Sequence, residues 1–158
     1  LNDAQLAQSS IGQYDVAASP LQMAMVAAGI ANDGVLMEPY LTKSVRAANL
    51  QTVWTHKDTP MSTPMTRESA KQLQQMMVSV VNNGTGRNAR IDGVTVGGKT
   101  GTAQTSPDKP PYAWFVGWSD KPKVAVAVFV ESSNTERSEI AGGRLGAPIA
   151  RDVIEALR

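Results

Sequence analysis

Apolar positions along this chain follow a helical period twice, switch to alternation, and return to a helical period at the end. Residues 1–18 read as polar and irregular, with Ser9-Ser10-Ile11-Gly12-Gln13 as a turn-like cluster. Ser19-Pro20 opens a helix, with serine as N-cap and proline at the first helical position. Leu21, Ala24, Met25 and Ala28 share one face of it, and Gly34 is its C-terminal stop. Residues 35–57 alternate loosely and predict short extended pieces, broken at Glu38-Pro39. Thr66 begins a second helix, on which Leu73, Met76, Met77, Val80 and Val81 form a stripe. That stripe reads as core packing rather than a Met-rich binding groove. Asn82-Asn83-Gly84 ends the helix.

The period then becomes two. A first strand covers about residues 94–104. A second, Tyr112 to Trp118, puts Tyr112, Trp114, Val116 and Trp118 on one face. A third, Lys123 to Val130, puts Val124, Val126, Val128 and Val130 on one face and Ala125, Ala127 and Phe129 on the other. Ser119-Asp120-Lys121-Pro122 is a hairpin connection, and Ser106 to Pro111 is stiff and polar. A last helix is predicted to start near Pro148, with Ile149, Val153 and Leu157 beside Ala150 and Ile154 as its apolar stripe. A strand apolar on both faces wants helices on both sides of its sheet. The expectation is an α+β fold with an antiparallel sheet flanked by helices, and no internal repeat.

Composition narrows the function classes. With 42% hydrophobic and 18% charged residues among 158, the chain is globular rather than disordered. The net charge is +1 and Lys and Arg are scattered, so no nucleic-acid partner is expected. Without cysteine, disulfide and thiolate–zinc readings fall away. The single histidine, His56, sits in a polar connection and reads as solvated and structural. No metal and no cofactor is expected. The longest apolar run, Met23 to Ala31, is too short to cross a membrane. The start, Leu1-Asn2-Asp3-Ala4-Gln5, has neither a leading Met nor a basic segment, so the chain is expected to be a piece of a longer protein.

Three runs imitate catalytic motifs. Gly93-Val94-Thr95-Val96-Gly97-Gly98-Lys99-Thr100 matches G-x-x-x-x-G-K-[ST], but a phosphate-binding loop needs a strand before it and a helix after it. Here Val-Thr-Val prefers extended backbone, and prolines follow by position 111. Ser106-Pro107-Asp108-Lys109 is formally S-x-x-K, yet Pro110 and Pro111 forbid the helix that would bring the lysine amine over the serine hydroxyl. Ser132-Ser133-Asn134 is formally S-x-N, but it closes a strand and comes after the lysine motif.

Lys99-Thr100-Gly101-Thr102-Ala103-Gln104 is the segment that carries chemistry. K-T-G is one of three motifs that together mark penicillin-reactive serine enzymes. Alternation places Thr100, Thr102 and Gln104 on one face and Lys99, Gly101 and Ala103 on the other. Glycine weakens a strand unless something must approach its backbone closely. On a sheet edge this strand could bind an extended peptide by main-chain hydrogen bonds. The threonine hydroxyls and Lys99 would hold a carboxylate, and the Thr102 N–H would stabilise an oxyanion. Lys99 would have to curl round the edge to join the threonines. A buried strand with a snorkelling Lys99 is the competing reading of the same residues.

Other segments accompany this one in a fixed order: Ser10-Ile11-Gly12-Gln13, Ser19-Pro20-Leu21-Gln22-Met23-Ala24, Ala31-Asn32-Asp33-Gly34, Pro39-Tyr40-Leu41 and Asn83-Gly84-Thr85-Gly86. Ala113-Trp114-Phe115-Val116-Gly117-Trp118 and Ala147-Pro148-Ile149-Ala150 follow the lysine motif. With it they resemble, over nearly the whole chain, the C-terminal part of a class B penicillin-binding protein transpeptidase domain. The resemblance implies the penicillin-binding protein and serine β-lactamase-like fold, a five-stranded antiparallel sheet between helices, of which this chain holds the last three strands. It implies cross-linking of peptidoglycan stem peptides through an acyl-serine intermediate, with β-lactams as mimics of the terminal dipeptide. Lys99 and Thr102 would be catalytic, and Thr100, Gly101, Thr102 and Gln104 would contact substrate. No S-x-x-K or S-x-N precedes Lys99 in acceptable context. Residues 1–158 are therefore expected to need an upstream segment that carries the nucleophile and base, two further strands and an anchor on the extracytoplasmic face of the membrane. Alone, the chain is expected to be inactive and poorly folded. A non-catalytic sensing or scaffold module, and a nucleotide-binding loop, are the alternatives.

Overall fold

The computed structural model of the protein describes residues 2–104 and 108–158. Four helices, α1 (Asp3–Ser10), α2 (Pro20–Ala31), α3 (Arg67–Asn83) and α4 (Gly142–Ala156), accompany seven strands among these residues. Strands β1 (Leu36–Met37), β2 (Ser44–Arg46), β3 (Thr52–Thr55) and β4 (Pro60–Ser62) make two small antiparallel pairs, β1 with β4 and β2 with β3. The main sheet is β5 (Val96–Ala103), β6 (Tyr112–Asp120) and β7 (Lys123–Val130), antiparallel in the order β5-β6-β7.

The caps form where the sequence places them. Ser19 Oγ accepts from Gln22 N at 3.2 Å while Gln22 Oε1 accepts from Ser19 N at 2.8 Å, with Pro20 at the first helical position of α2. Thr66 Oγ1 accepts from Ser69 N at 3.1 Å to open α3. At the end of α2, Gly34 at φ 94 returns its N–H to Gly29 O at 2.8 Å.

Helices cover both faces of the sheet, as predicted. On one face Phe115, Val126 and Val128 pack with Val81 of α3 and with Ala147, Ala150 and Ile154 of α4. On the other, Trp118 packs with Ile30 of α2 and Met77 of α3. Contact with α4 is close enough to constrain its sequence: a Cβ on Gly142 would lie 1.9 Å from Trp114 O and 2.8 Å from Gly101 O.

Several expectations need correction. Residues 3–10 are helical, not irregular as their polarity predicts: Asn2 and Gln5 build a reciprocal cap. Helix α4 starts six residues before Pro148, because the small residues Gly142, Gly143 and Gly146 let its first turns lie on the strands. Its buried stripe is Ala147, Ala150 and Ile154, whereas Ile149, Val153 and Leu157 are exposed. On α3, Met76 is exposed and Ala70, Met77 and Val81 carry the burial. His56 is not simply solvated: it stacks on Tyr40 with ring centroids 3.6 Å apart.

Helices α2 and α3 are joined through Asp33, which follows α2 at φ 54. Its carboxylate accepts from Lys71 Nζ at 2.8 Å and from Arg67 Nε at 3.1 Å. Gln74 Nε2 donates to Ile30 O at 2.7 Å beside it. The Lys71 hydrogen bond, with further help from Gln74 and the charges of Lys71 and Arg67, holds the Asp33 carboxyl below its ordinary value against a smaller desolvation. A carboxyl depressed on folding stabilises the fold above its unfolded value. That contribution is lost as pH falls through the folded one. The thermal midpoint of the protein should therefore drop below the ordinary carboxylate range, and Asp33→Asn should flatten this part of a midpoint–pH curve. An unchanged curve would remove Asp33 from the acid response. In a denaturant titration, Gly142→Ala should cost about 2 kcal/mol or more, since its methyl must displace strand backbone. An unmoved midpoint would mean that the first turn of α4 has slack.

Candidate active site

The free edge of β5 is the structural centre of the site. Pairing with β6 runs from Val96↔Ser119 to Ala103↔Tyr112 without a register shift. Lys99, Gly101 and Ala103 therefore share a face with Val116, Trp114 and Tyr112, and Thr100 and Thr102 share the opposite face with Phe115 and Ala113. Alternation along the strand is as the sequence predicts.

Backbone groups of alternate residues point away from β6. Thr100 O accepts from Lys99 Nζ, and Thr102 O accepts from Gln13 Nε2 at 3.3 Å. These bonds put the carbonyls of Thr100 and Thr102, and with them their N–H groups, on the open side of the strand. They also show how Lys99 joins the edge: its exposed stem folds back over the strand to the carbonyl of the next residue.

Thr100 Oγ1 lies 2.8 Å from Thr85 Oγ1, on the loop that follows α3. That loop is tied to α4 in turn, with Asn88 Nδ2 donating to Gly143 O at 2.8 Å. A Cβ on Gly143 would come within 2.1 Å of Thr85 O. Thr100 is thus tied to the scaffold through a hydroxyl pair in which either oxygen can be the donor, and the structure brings Thr85 to the strand as a neighbour that residue types alone do not single out. The signal for it was the Asn83-Gly84-Thr85-Gly86 segment. Gln104 lies one residue beyond β5 and is exposed.

A cavity of about 480 Å³ opens on the Lys99 face of the sheet. Gly101, Trp114, Val116 and Phe129 line it from the sheet, facing Ile11, Val16 and Met23 of the N-terminal segments. Trp114 and Phe129 lie against each other with ring centroids 4.7 Å apart. Gly101 leaves this floor bare; a Cβ there would be 3.3 Å from that of Trp114, tight but not prohibitive. The bareness therefore serves the open side more than the packing.

The rival motifs lose their geometry. Gly97 to Thr100 of the phosphate-loop match lie within β5, so no helix follows Lys99 to cradle a phosphate. Ser106 and Pro107 of the formal S-x-x-K lie outside the described residues. Ser132-Ser133-Asn134 follows the end of β7. No serine hydroxyl contacts Lys99, and no cluster of metal-ligating side chains occurs, among the described residues. The edge offers an ammonium, a threonine hydroxyl and outward N–H and C=O groups. Such a set can hold a peptide carboxylate and stabilise a developing oxyanion.

Comparison with known proteins places this chain in a family. Residues 1–155 match the model of the penicillin binding protein transpeptidase domain. The chain is 42% identical over 158 residues to the peptidoglycan D,D-transpeptidase PbpA of Mycolicibacterium smegmatis, covering 97% of this chain and 32% of that protein. It thus spans about a third of the length of the PbpA relatives it matches. The crystal structure of PBPA from Mycobacterium tuberculosis superimposes with a TM-score of 0.87 at 39% identity, over 98% of this chain and 38% of that one. The penicillin G acyl-enzyme complex of penicillin-binding protein A from M. tuberculosis superimposes with a TM-score of 0.83 at 39% identity, over 97% and 35% of the two chains. The fold, the strand register and these matches together show that the chain belongs to the penicillin-binding protein transpeptidase domain family.

Proposed function

We propose that this chain is the substrate-holding half of a peptidoglycan D,D-transpeptidase, completed by an upstream segment of the same protein that carries the nucleophilic serine and its base. The observation that carries this reading is the open edge of β5, with Lys99 folded over it and the Thr102 N–H and C=O turned outward. A stem peptide ending in two D-alanines lies along the edge. Its terminal carboxylate meets Lys99 and the Thr102 hydroxyl, with Gln104 at the rim.

The serine hydroxyl, losing its proton to the base, attacks the carbonyl between the two D-alanines. The Thr102 N–H donates to the oxyanion that forms there. The base returns the proton to the leaving nitrogen as the bond to the terminal D-alanine breaks, so that residue leaves as the free amino acid and an acyl-serine remains. An amine of a neighbouring stem then takes the acyl group and returns the serine. β-Lactams, sharing the carboxylate and the strained amide, stop at the acyl-serine. The apolar cavity beside Lys99 receives the upstream segment, which brings the serine to the edge. The site works on the extracytoplasmic face of the membrane, where peptidoglycan lies, and the upstream part supplies the anchor.

Intact-mass analysis of the full-length protein after exposure to penicillin tests this directly. One penicillin mass should appear, and peptide mapping should locate it on a serine upstream of this chain. An adduct on residues 1–158, or no adduct, would overturn the assignment. A second test separates the two threonines. Lys99→Ala should slow acylation by roughly a hundred- to a thousandfold, the loss typical of one preorganised electrostatic donor. Thr102→Val should slow it by roughly tenfold through the carboxylate contact. Thr100→Val, whose hydroxyl is held by Thr85, should act less on acylation than Thr102→Val and more on the thermal midpoint. Equal effects of the two valines on acylation would refute that division.

A further inference from the structure

Gln13 reaches the edge of β5 across 89 positions of sequence, where its Nε2 donates to Thr102 O. The loop around it is shaped to deliver that one side chain. Helix α1 closes with the Ile11 and Gln13 N–H groups on Gln8 O and the Gly12 N–H on Ser9 O. Gly12 at φ 76 and Tyr14 at φ 62 then turn the chain on either side of Gln13. The left-handed region suits glycine and is unfavourable for tyrosine. Tyr14 is nevertheless held there, its hydroxyl accepting from Gln5 Nε2 at 2.7 Å. Both neighbours are exposed, whereas Gln13 points inward and is half-buried.

The acceptor it occupies has a second claimant. A peptide that adds to a sheet edge exchanges hydrogen bonds with the outward N–H and C=O groups of alternate residues. If the Thr102 N–H serves the oxyanion, the Thr102 carbonyl is what an amide N–H of the bound ligand must reach. This step rests on the transpeptidase reading given above.

We propose that Gln13 is a specificity-determining gate on the strand edge. Its carboxamide satisfies Thr102 O in the empty site and leaves it only when a ligand brings an amide N–H of its own. For a ligand with that N–H, the new hydrogen bond replaces an existing one, so the net gain is small. For a ligand without it, Gln13 stays in place and the half-buried Thr102 carbonyl is not left unpaired. The gate thus makes the site tolerant of ligands that differ at this position. Without it, the site must discriminate: one ligand gains a full hydrogen bond and the other strands an acceptor.

The test uses the full-length enzyme, its Gln13→Ala variant and its Gln13→Glu variant. Glutamate keeps the length of the side chain and cannot donate to a carbonyl, so it decides the matter if alanine disturbs the loop. Two probes share one bicyclic nucleus: benzylpenicillin, which carries an acylamino N–H, and penicillanic acid, which does not. Second-order acylation rate constants are read by mass spectrometry. The ratio of the first probe to the second should rise about three- to tenfold in both variants, the range of one hydrogen bond gained or lost. A ratio that stays within about twofold would overturn the gate, whether the individual rates hold or fall together, because a merely structural glutamine lowers both alike. An unsubstituted enzyme that reacts with neither probe would overturn the transpeptidase reading itself, and the gate with it.

Discussion

Pairing of β5 on one side only is the constraint on which the rest of this structure depends. A strand in the middle of a sheet has its backbone polar groups spent on both neighbours. An edge strand has half of them left, and they face one direction. Because β5 pairs with β6 over its whole length without a bulge, the unspent groups recur at every second residue from Val96 to Thr102. The sequence puts its chemistry in phase with that repeat: Thr100 and Thr102 occupy outward-bonding positions, and Lys99 and Gly101 alternate with them. A register slip of one residue would turn the Thr102 N–H and C=O into β6 and take them off the open edge.

The packing behind β5 keeps this register from drifting. Phe115, fully buried, faces Thr100 across the pair and Val128 across the next one. Helix α4 lies on the same face through Gly142, Gly143 and Gly146, and each of these positions is closed to a side chain by backbone or by Phe115. The loop at Thr85 is locked between α4 and the Thr100 hydroxyl. Lys99 and the Thr102 backbone can therefore face solvent without being loose, since what holds them is on the other side of the strand.

How much of this the residues announce depends on how local the cause is. The caps at Ser19 and Thr66, the stop at Gly34 and the alternation of β5 to β7 arise from neighbours within a few positions, and they can be read directly. Helix α1 escapes such a reading because it buries no residue and so leaves no apolar stripe; its cap of Asn2 and Gln5 is the only local sign. The start of α4 is not legible locally, because Gly-Gly-Arg-Leu-Gly looks like a helix breaker until the strands beneath it are known. Tertiary crowding, not propensity, makes glycine the fitting residue there. In the candidate site, the placement of Lys99, Gly101 and Thr102 along the strand can be read from one segment. The Thr85 and Gln13 contacts cannot, because each joins segments whose adjacency exists only in the folded chain.

The two edges of the sheet differ in a way that ties stability to chemistry. An exposed strand edge is a template for unwanted pairing, and charged or polar side chains over it are the usual protection. On β5 that protection and the site are the same groups: the Lys99 ammonium covers one outward carbonyl and the Gln13 carboxamide covers the next. Among the described residues no polar side chain gives strand β7 comparable cover along Val124 to Val130, which is apolar on both faces. Its alternating valine and alanine give it the composition of a strand built for packing on both faces. The asymmetry follows from what each edge must do. One edge keeps its outward carbonyls under polar side chains that can move aside, which leaves it accessible without inviting a neighbouring strand. The other carries uninterrupted valine and alanine, which serve packing better than any charge.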